Sequence, residues 1–125
     1  MCQGNKKISI EPPVFYEEAQ DLIDRCDFLV LPSRTEAMGR VLIEAMQHRK
    51  AVIGSSGDGF PYYVQHMRNG LVFDAEDWKG LEALIENTDL KQSLANQGYS
   101  QAHSLYSEES FLERYCELLA GASKK

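Results

Sequence analysis

The chain has 125 residues, of which 43% are hydrophobic and 26% charged, with a net charge of −6. This length suits one ordinary domain of about 100–150 residues, so residues 1–125 are expected to form one unit without an internal boundary. The negative charge argues against bulk attraction to nucleic acid or to an anionic membrane, and no apolar run approaches the ~18 residues of a membrane span. Three widely spaced cysteines and polar first residues favour a reduced, cytoplasmic compartment.

The first half of the chain alternates strand and helix patterns. Residues 7–10 alternate polar and apolar side chains and predict a short strand. A helical spacing of apolar residues follows over 16–26, and the continuous apolar run at 28–31 predicts the most buried strand. A second helix is expected over 39–48, and another buried strand over 51–54.

The second half continues the alternation and ends in helices. The turn at Asn69 and Gly70 leads into a strand at 71–73, and Asp77 is a plausible N-cap for the next helix. Further helices are expected over 90–103 and from Ser107 onward. The last helix is predicted to carry an apolar stripe on one side, formed by Phe111, Leu112, Tyr115, Leu118 and Leu119. Of these, Phe111, Tyr115 and Leu119 are interpreted as core residues. This order of elements predicts an α/β fold, a Rossmann-like parallel sheet flanked by helices.

Two loops are the places to look for function. In parallel sheets of this kind, ligands bind where the carboxyl ends of the strands lead into helices. Residues 32–39 follow the first buried strand, and residues 55–61 follow the next. Both loops are therefore expected at the same edge of the sheet.

The first of these loops carries a recognisable motif. Glu36 and Glu44 are separated by seven residues, Pro32-Ser33 precede them, and Ala45-Met46 follow. In this order the segment resembles the signature of the group 1 (family 4) retaining glycosyltransferases, and the resemblance extends from about residue 14 through most of the chain. It implies a partial C-terminal domain of the two-domain GT-B fold, the half that binds the donor sugar nucleotide.

The resemblance also implies roles for individual residues. Glu44 corresponds to the glutamate that binds the ribose, and Glu36 to the glutamate that contacts the transferred sugar. Backbone amides near Met38 and Gly39 would hold the diphosphate at a helix N-terminus, where a bare glycine lets phosphate oxygens approach. The family transfers sugars with retention of configuration and needs no metal, so no cofactor is expected beyond a UDP-, GDP- or ADP-sugar donor.

Ordinary structural roles remain open for each of these residues. Arg40 stands four positions from Glu36 and from Glu44 and could form exposed ion pairs with them. Arg34 and Arg40 are either phosphate ligands or solvated surface charges. Ser33 either lines the donor pocket or ends a strand, and Gly59 either cradles a phosphate or serves a turn. The short acidic cluster at 74–77 could suggest a metal site, but helix N-termini favour acidic residues for capping and dipole reasons alone. The three histidines have no second ligand at metal spacing and are interpreted as surface or packing residues.

Three functional hypotheses follow. The leading one is that the chain is the donor-binding part of a retaining glycosyltransferase of polysaccharide or lipid-linked glycan synthesis. It is expected to be inactive alone, because the acceptor-binding domain and two upstream cationic residues of the family have no counterpart here. The second is a subunit of a split transferase, and the third a noncatalytic nucleotide- or phosphate-binding module that self-associates through its last helix. The complete enzyme is expected to be cytoplasmic, or peripheral on the cytoplasmic face of the membrane.

Overall fold

A computed structural model of the chain describes residues 8–56, 62–74 and 79–123. Three strands and five helices lie within these ranges. In chain order they are α1 (Tyr16–Arg25), β1 (Phe28–Leu31), α2 (Arg40–Gln47), β2 (Ala51–Ser55), β3 (Leu71–Phe73), α3 (Lys79–Glu86), α4 (Thr88–Tyr106) and α5 (Glu108–Ala122).

The three strands form one parallel sheet in the order β1-β2-β3. In the register of the first pair, Phe28 lies opposite Ala51 and Leu31 lies opposite Gly54. Strands β2 and β3 pair from Ile53 opposite Leu71 onward. The chain is therefore an α/β protein with a Rossmann-like parallel sheet, as predicted.

Strand β2 occupies the centre of the sheet and is covered on both faces. All five of its residues are buried, whereas the four residues of β1 are only half-buried. Val52 faces a core cluster with α2, and its neighbours Ala51 and Ile53 face a second cluster that includes Leu94 of α4. The prediction that 28–31 is the most buried strand is thus wrong, because β1 is an edge strand of the described sheet.

Two further expectations fail at surface segments. Residues 8–10 form no strand, and Ile8 and Ile10 are 46% and 71% exposed, since no neighbouring strand of the described chain pairs with them. The apolar stripe of α5 is exposed rather than part of the core, because α5 packs against α4 without burying any of its own residues. No helix in the described ranges is long and apolar enough to cross a bilayer.

The turn before β3 packs closely on the sheet at Gly70. A Cβ atom at this position would lie 2.8 Å from Val52 Cγ2 and from Val64 Cγ1. The neighbouring Asn69 is 2% exposed and donates from Nδ2 to the Tyr63 carbonyl (2.7 Å) and to Gln101 Oε1 (2.6 Å). A buried amide with satisfied hydrogen bonds and a glycine without a side chain thus fix the entry into β3.

Candidate active site

The carboxyl ends of β1 and β2 lie side by side, as the two-loop prediction requires. Leu31 and Gly54 are paired across the strands, and the fully buried Ser55 donates its hydroxyl hydrogen bond to the Ser33 carbonyl. The Ser33 carbonyl therefore links the end of β1 to β2, and the role of the Ser33 side chain stays a prediction. Residues 57–61 of the second loop, which include Gly59, lie outside the described residues.

The first loop turns into α2 at Gly39. This residue has φ 59° and ψ 46°, a left-handed conformation that glycine adopts without strain. As the N-cap it offers no side-chain oxygen to the first helical turn, and its carbonyl accepts from Leu42 N at 2.9 Å. The amides at the start of α2 precede any intrahelical acceptor, so they are suited to bind an anion such as a phosphate.

A cavity of about 270 Å³ opens beside this helix terminus. Charged, amide and aromatic side chains share its wall, which combines hydrogen-bonding groups with flat apolar surfaces. Its lining residues are Tyr16, Met38, Arg40, Ile43, Glu44, Gln47 and Tyr106. Three predicted donor-binding residues, Met38, Arg40 and Glu44, are thus brought together in one place.

Glu44 is half-buried on α2 and is held from the side of α1. Gln20 Nε2 donates to Glu44 Oε2 at 3.2 Å. An ionised carboxylate has two oxygens and about four acceptor positions, so this bond leaves acceptor capacity on Glu44. The arrangement can receive hydroxyl donors from a ligand in the cavity.

Glu36 lies in the loop ahead of α2, half-buried and close to Tyr63. Burial raises the pKa of Tyr63 to about 12, and the negative charge of Glu36 and the neighbouring Tyr106 add to the rise. Tyr106 also lines the cavity of Glu44, whereas Glu36 is not among the residues that line it. That both glutamates contact one ligand stays a prediction.

The remaining predictions concern two arginines and the candidate metal ligands. Arg34 and Arg40 are exposed. Among the described residues, Arg40 makes no ion pair with Glu36 or Glu44, so the structure gives no support to the ion-pair alternative. Within the same ranges no cluster of three His, Cys, Asp or Glu side chains could hold a metal ion, and most of the acidic stretch at 74–77 lies outside them.

Sequence reasoning missed the residues that surround Glu44 from outside the motif. Tyr16, Gln20 and Asp24 recur every four residues on α1, and such a spacing places them on one face of the helix. His48, interpreted as a surface or packing residue, is hydrogen-bonded to that face. The i, i+4 spacing was visible in the sequence, but the pairing of the two helices was not.

The chain is similar in sequence to a known protein family. The family described as Glycosyl transferases group 1 matches residues 3–102. The lipopolysaccharide core biosynthesis glycosyltransferase LpsE of Rhizobium meliloti is 24% identical over 108 residues, which are 83% of this chain and 32% of that protein.

Solved structures agree in fold. HepE of Anabaena in complex with UDP-glucose superimposes with a TM-score of 0.72 at 24% identity, covering 83% of this chain and 30% of HepE. The C-terminal domain of the group 1 glycosyl transferase LpcC of Francisella tularensis gives a TM-score of 0.70 at 23% identity, covering 79% of this chain and 53% of that domain's chain. The chain spans about a third of the length of LpsE and HepE. It therefore belongs to the group 1 glycosyl transferases and has the fold of the C-terminal domain of these GT-B proteins.

Proposed function

We propose that the chain is the donor-binding part of a retaining glycosyltransferase that takes its sugar from a nucleoside diphosphate. The observation that carries the proposal is the position of Glu44, in the wall of a cavity of about 270 Å³ beside the open N-terminus of α2. A carboxylate accepts hydrogen bonds from both ribose hydroxyls, and helix amides bind phosphate oxygens. The complex of the related HepE with UDP-glucose supports the same ligand class.

In this proposal the residues of the motif bind different parts of the donor. Glu44 holds the ribose, while the amides near Met38 and Gly39 and the guanidinium of Arg40 face the diphosphate. Glu36 contacts the transferred sugar rather than the diphosphate, since two anions would repel each other. Arg34, Ser33 and Gly59 remain predicted donor-binding residues at the same edge of the sheet.

Catalysis then consists mainly of stabilising the nucleoside diphosphate as it leaves. The bond from the anomeric carbon to the diphosphate oxygen breaks, and the acceptor oxygen forms its bond to that carbon on the same face. The acceptor proton passes to the departing phosphate. Preorganised amides and Arg40 would offset the charge that develops on the leaving group, so the proposal needs no metal.

Nucleotide binding tests the donor site directly. We expect titration calorimetry to detect binding of UDP, GDP or ADP to the 125-residue chain. Glu44→Gln should weaken this binding roughly tenfold to a hundredfold, because a hydrogen bond to a charged group contributes about 1.5–3 kcal/mol. Glu113→Gln, an exposed glutamate of α5, is the matched control and should bind like wild type. Equal affinity of the Glu44→Gln and wild-type chains would overturn the ribose assignment.

We propose that the acceptor binds to a second domain, and that this domain contacts the present chain through the exposed apolar stripe of α5. Phe111, Leu118 and Leu119 are 60%, 72% and 53% exposed, which favours a partner for this helix. We expect sugar transfer only when a separately produced acceptor-binding domain is added, with the product's anomeric configuration retained by NMR. Transfer by the lone chain would disprove the proposed dependence on that domain. If the chain binds nucleotide but no sugar is transferred even when that domain is added, the noncatalytic module is favoured. Sedimentation would show whether the chain self-associates.

A further inference from the structure

A polar contact joins α1 to α2 behind the cavity. Gln20 and Asp24 lie four residues apart on α1, and Glu44 and His48 lie four apart at the facing side of α2. Gln20 bridges both partners on α2, with Nε2 donating to Glu44 Oε2 at 3.2 Å and Oε1 at 2.8 Å from His48 Nε2. His48 Nδ1 lies 2.6 Å from Asp24 Oδ1.

The orientation of the Gln20 amide follows from its partners. The ionised carboxylate of Glu44 only accepts hydrogen bonds, so the amide nitrogen must face it. The amide oxygen then faces His48, which must donate from Nε2. Since the Asp24 carboxylate also only accepts, both ring nitrogens of His48 carry protons when the network is complete, and the ring is an imidazolium.

From this network we infer that Gln20 is a positioning residue that orients Glu44 toward the cavity, and that His48 and Asp24 hold Gln20 in place. The inference rests on the proposed function in one respect, namely that Glu44 binds the ribose. It adds residues that lie outside the motif and do not line the cavity themselves. Nothing in the Glu36–Glu44 spacing requires them.

The network restricts the rotamers of Glu44 but leaves acceptor positions on its carboxylate available. A glutamate side chain loses rotamer freedom when it is ordered, and the bond from Gln20 fixes it before a ligand arrives. Oε1 and the remaining acceptor capacity of Oε2 stay available for two hydroxyl donors. Removal of Gln20 would therefore reduce the affinity for the ribose diol while leaving the phosphate contacts intact.

The ring of His48 has charged neighbours on both helices. From α1 it faces Asp24, and from α2 it faces Glu44 through Gln20. Before β2, Lys50 Nζ donates to the Asp24 carbonyl at 2.6 Å. A neutral ring has only one N–H and could not donate to both Gln20 and Asp24, so only the ring with both nitrogens protonated makes the two bonds together.

The decisive experiment compares ligands with and without the diol. UDP, GDP and ADP, each paired with its 2′,3′-dideoxy analogue, are titrated into the wild-type, Gln20→Ala and Gln92→Ala chains. Gln92 is an exposed glutamine of α4 and serves as the matched control. We expect Gln20→Ala to weaken nucleotide binding roughly fivefold to thirtyfold and to leave the dideoxy analogues unchanged. Equal weakening of both ligands, or of neither, would reject the positioning role.

A measurement without ligand keeps the inference separate from the proposed function. The side-chain amide signals of Gln20 in the NMR spectrum should move on Glu44→Gln and on His48→Ala. They should stay in place on His103→Ala, an exposed histidine of α4. If no nucleotide binds but these shifts occur, the proposed function fails and the network stands. If the Gln20 signals do not move in either variant, the network itself is refuted.

Discussion

Helices α2 and α5 carry similar apolar stripes in the sequence but use them differently. Of the eight residues of α2, four are buried, among them Leu42 at 0% and Met46 at 1% exposure. None of the fifteen described residues of α5 is buried. A helical period therefore indicates that one face is apolar, while only the neighbours in three dimensions decide whether that face is covered.

The largest expected contrast is in stability. Leu42→Ala should lower the free energy of unfolding by about 2–5 kcal/mol, because it removes apolar contacts and leaves a cavity in a closed core. Leu118→Ala on α5 should stay within about 0.5 kcal/mol of wild type, since that side chain is 72% exposed. Urea unfolding followed by circular dichroism measures both. A similar loss for the two variants would mean that α5 is covered in solution by another surface.

A second contrast compares one glycine from each region. Gly70→Ala would place a Cβ 2.8 Å from two valine methyl groups of the core, and we expect a loss of about 1–3 kcal/mol. Gly121→Ala in α5 meets no atom within 4 Å, and it should gain up to about 0.5–1 kcal/mol because alanine favours the helix. Thermal unfolding of the two variants should give shifts of opposite sign. A stable Gly70→Ala chain would show that β3 can move away from β2.

The same contrast explains which features could be predicted from the sequence. Local patterns located α1, α2, β2 and β3, and the Glu36–Glu44 motif placed Glu44 correctly on a helix after β1. Burial and strand pairing depend on neighbours in three dimensions, so the predicted burial was wrong for β1 and for the stripe of α5, and the predicted strand was wrong for residues 8–10.

The surroundings of Glu44 could not be predicted for the same reason. Its contact with Gln20 spans 24 residues, and that of His48 with Gln20 spans 28. Each helix shows its own i, i+4 spacing, but no local pattern states which helix faces which. The role of Gly39 was predicted from chemistry, and its left-handed backbone supplies the stereochemical reason for a glycine there.

The smallest contrast concerns two arginines with opposite backbone conformations. Arg49, after α2, has φ 56°, a left-handed value that disfavours a side chain by roughly 1–2 kcal/mol. Its guanidinium lies 4.0 Å from the ring centroid of Tyr99, a cation–π contact that stabilises the fold by about 0.5–1 kcal/mol.

We therefore expect Arg49→Gly to raise the free energy of unfolding by no more than about 1 kcal/mol. Arg114→Gly, within the right-handed α5, should lower it by about 1 kcal/mol. Losses of equal size in the two variants would show that stacking on Tyr99 outweighs the backbone strain at Arg49, and a double-mutant cycle with Tyr99→Ala would then measure by how much.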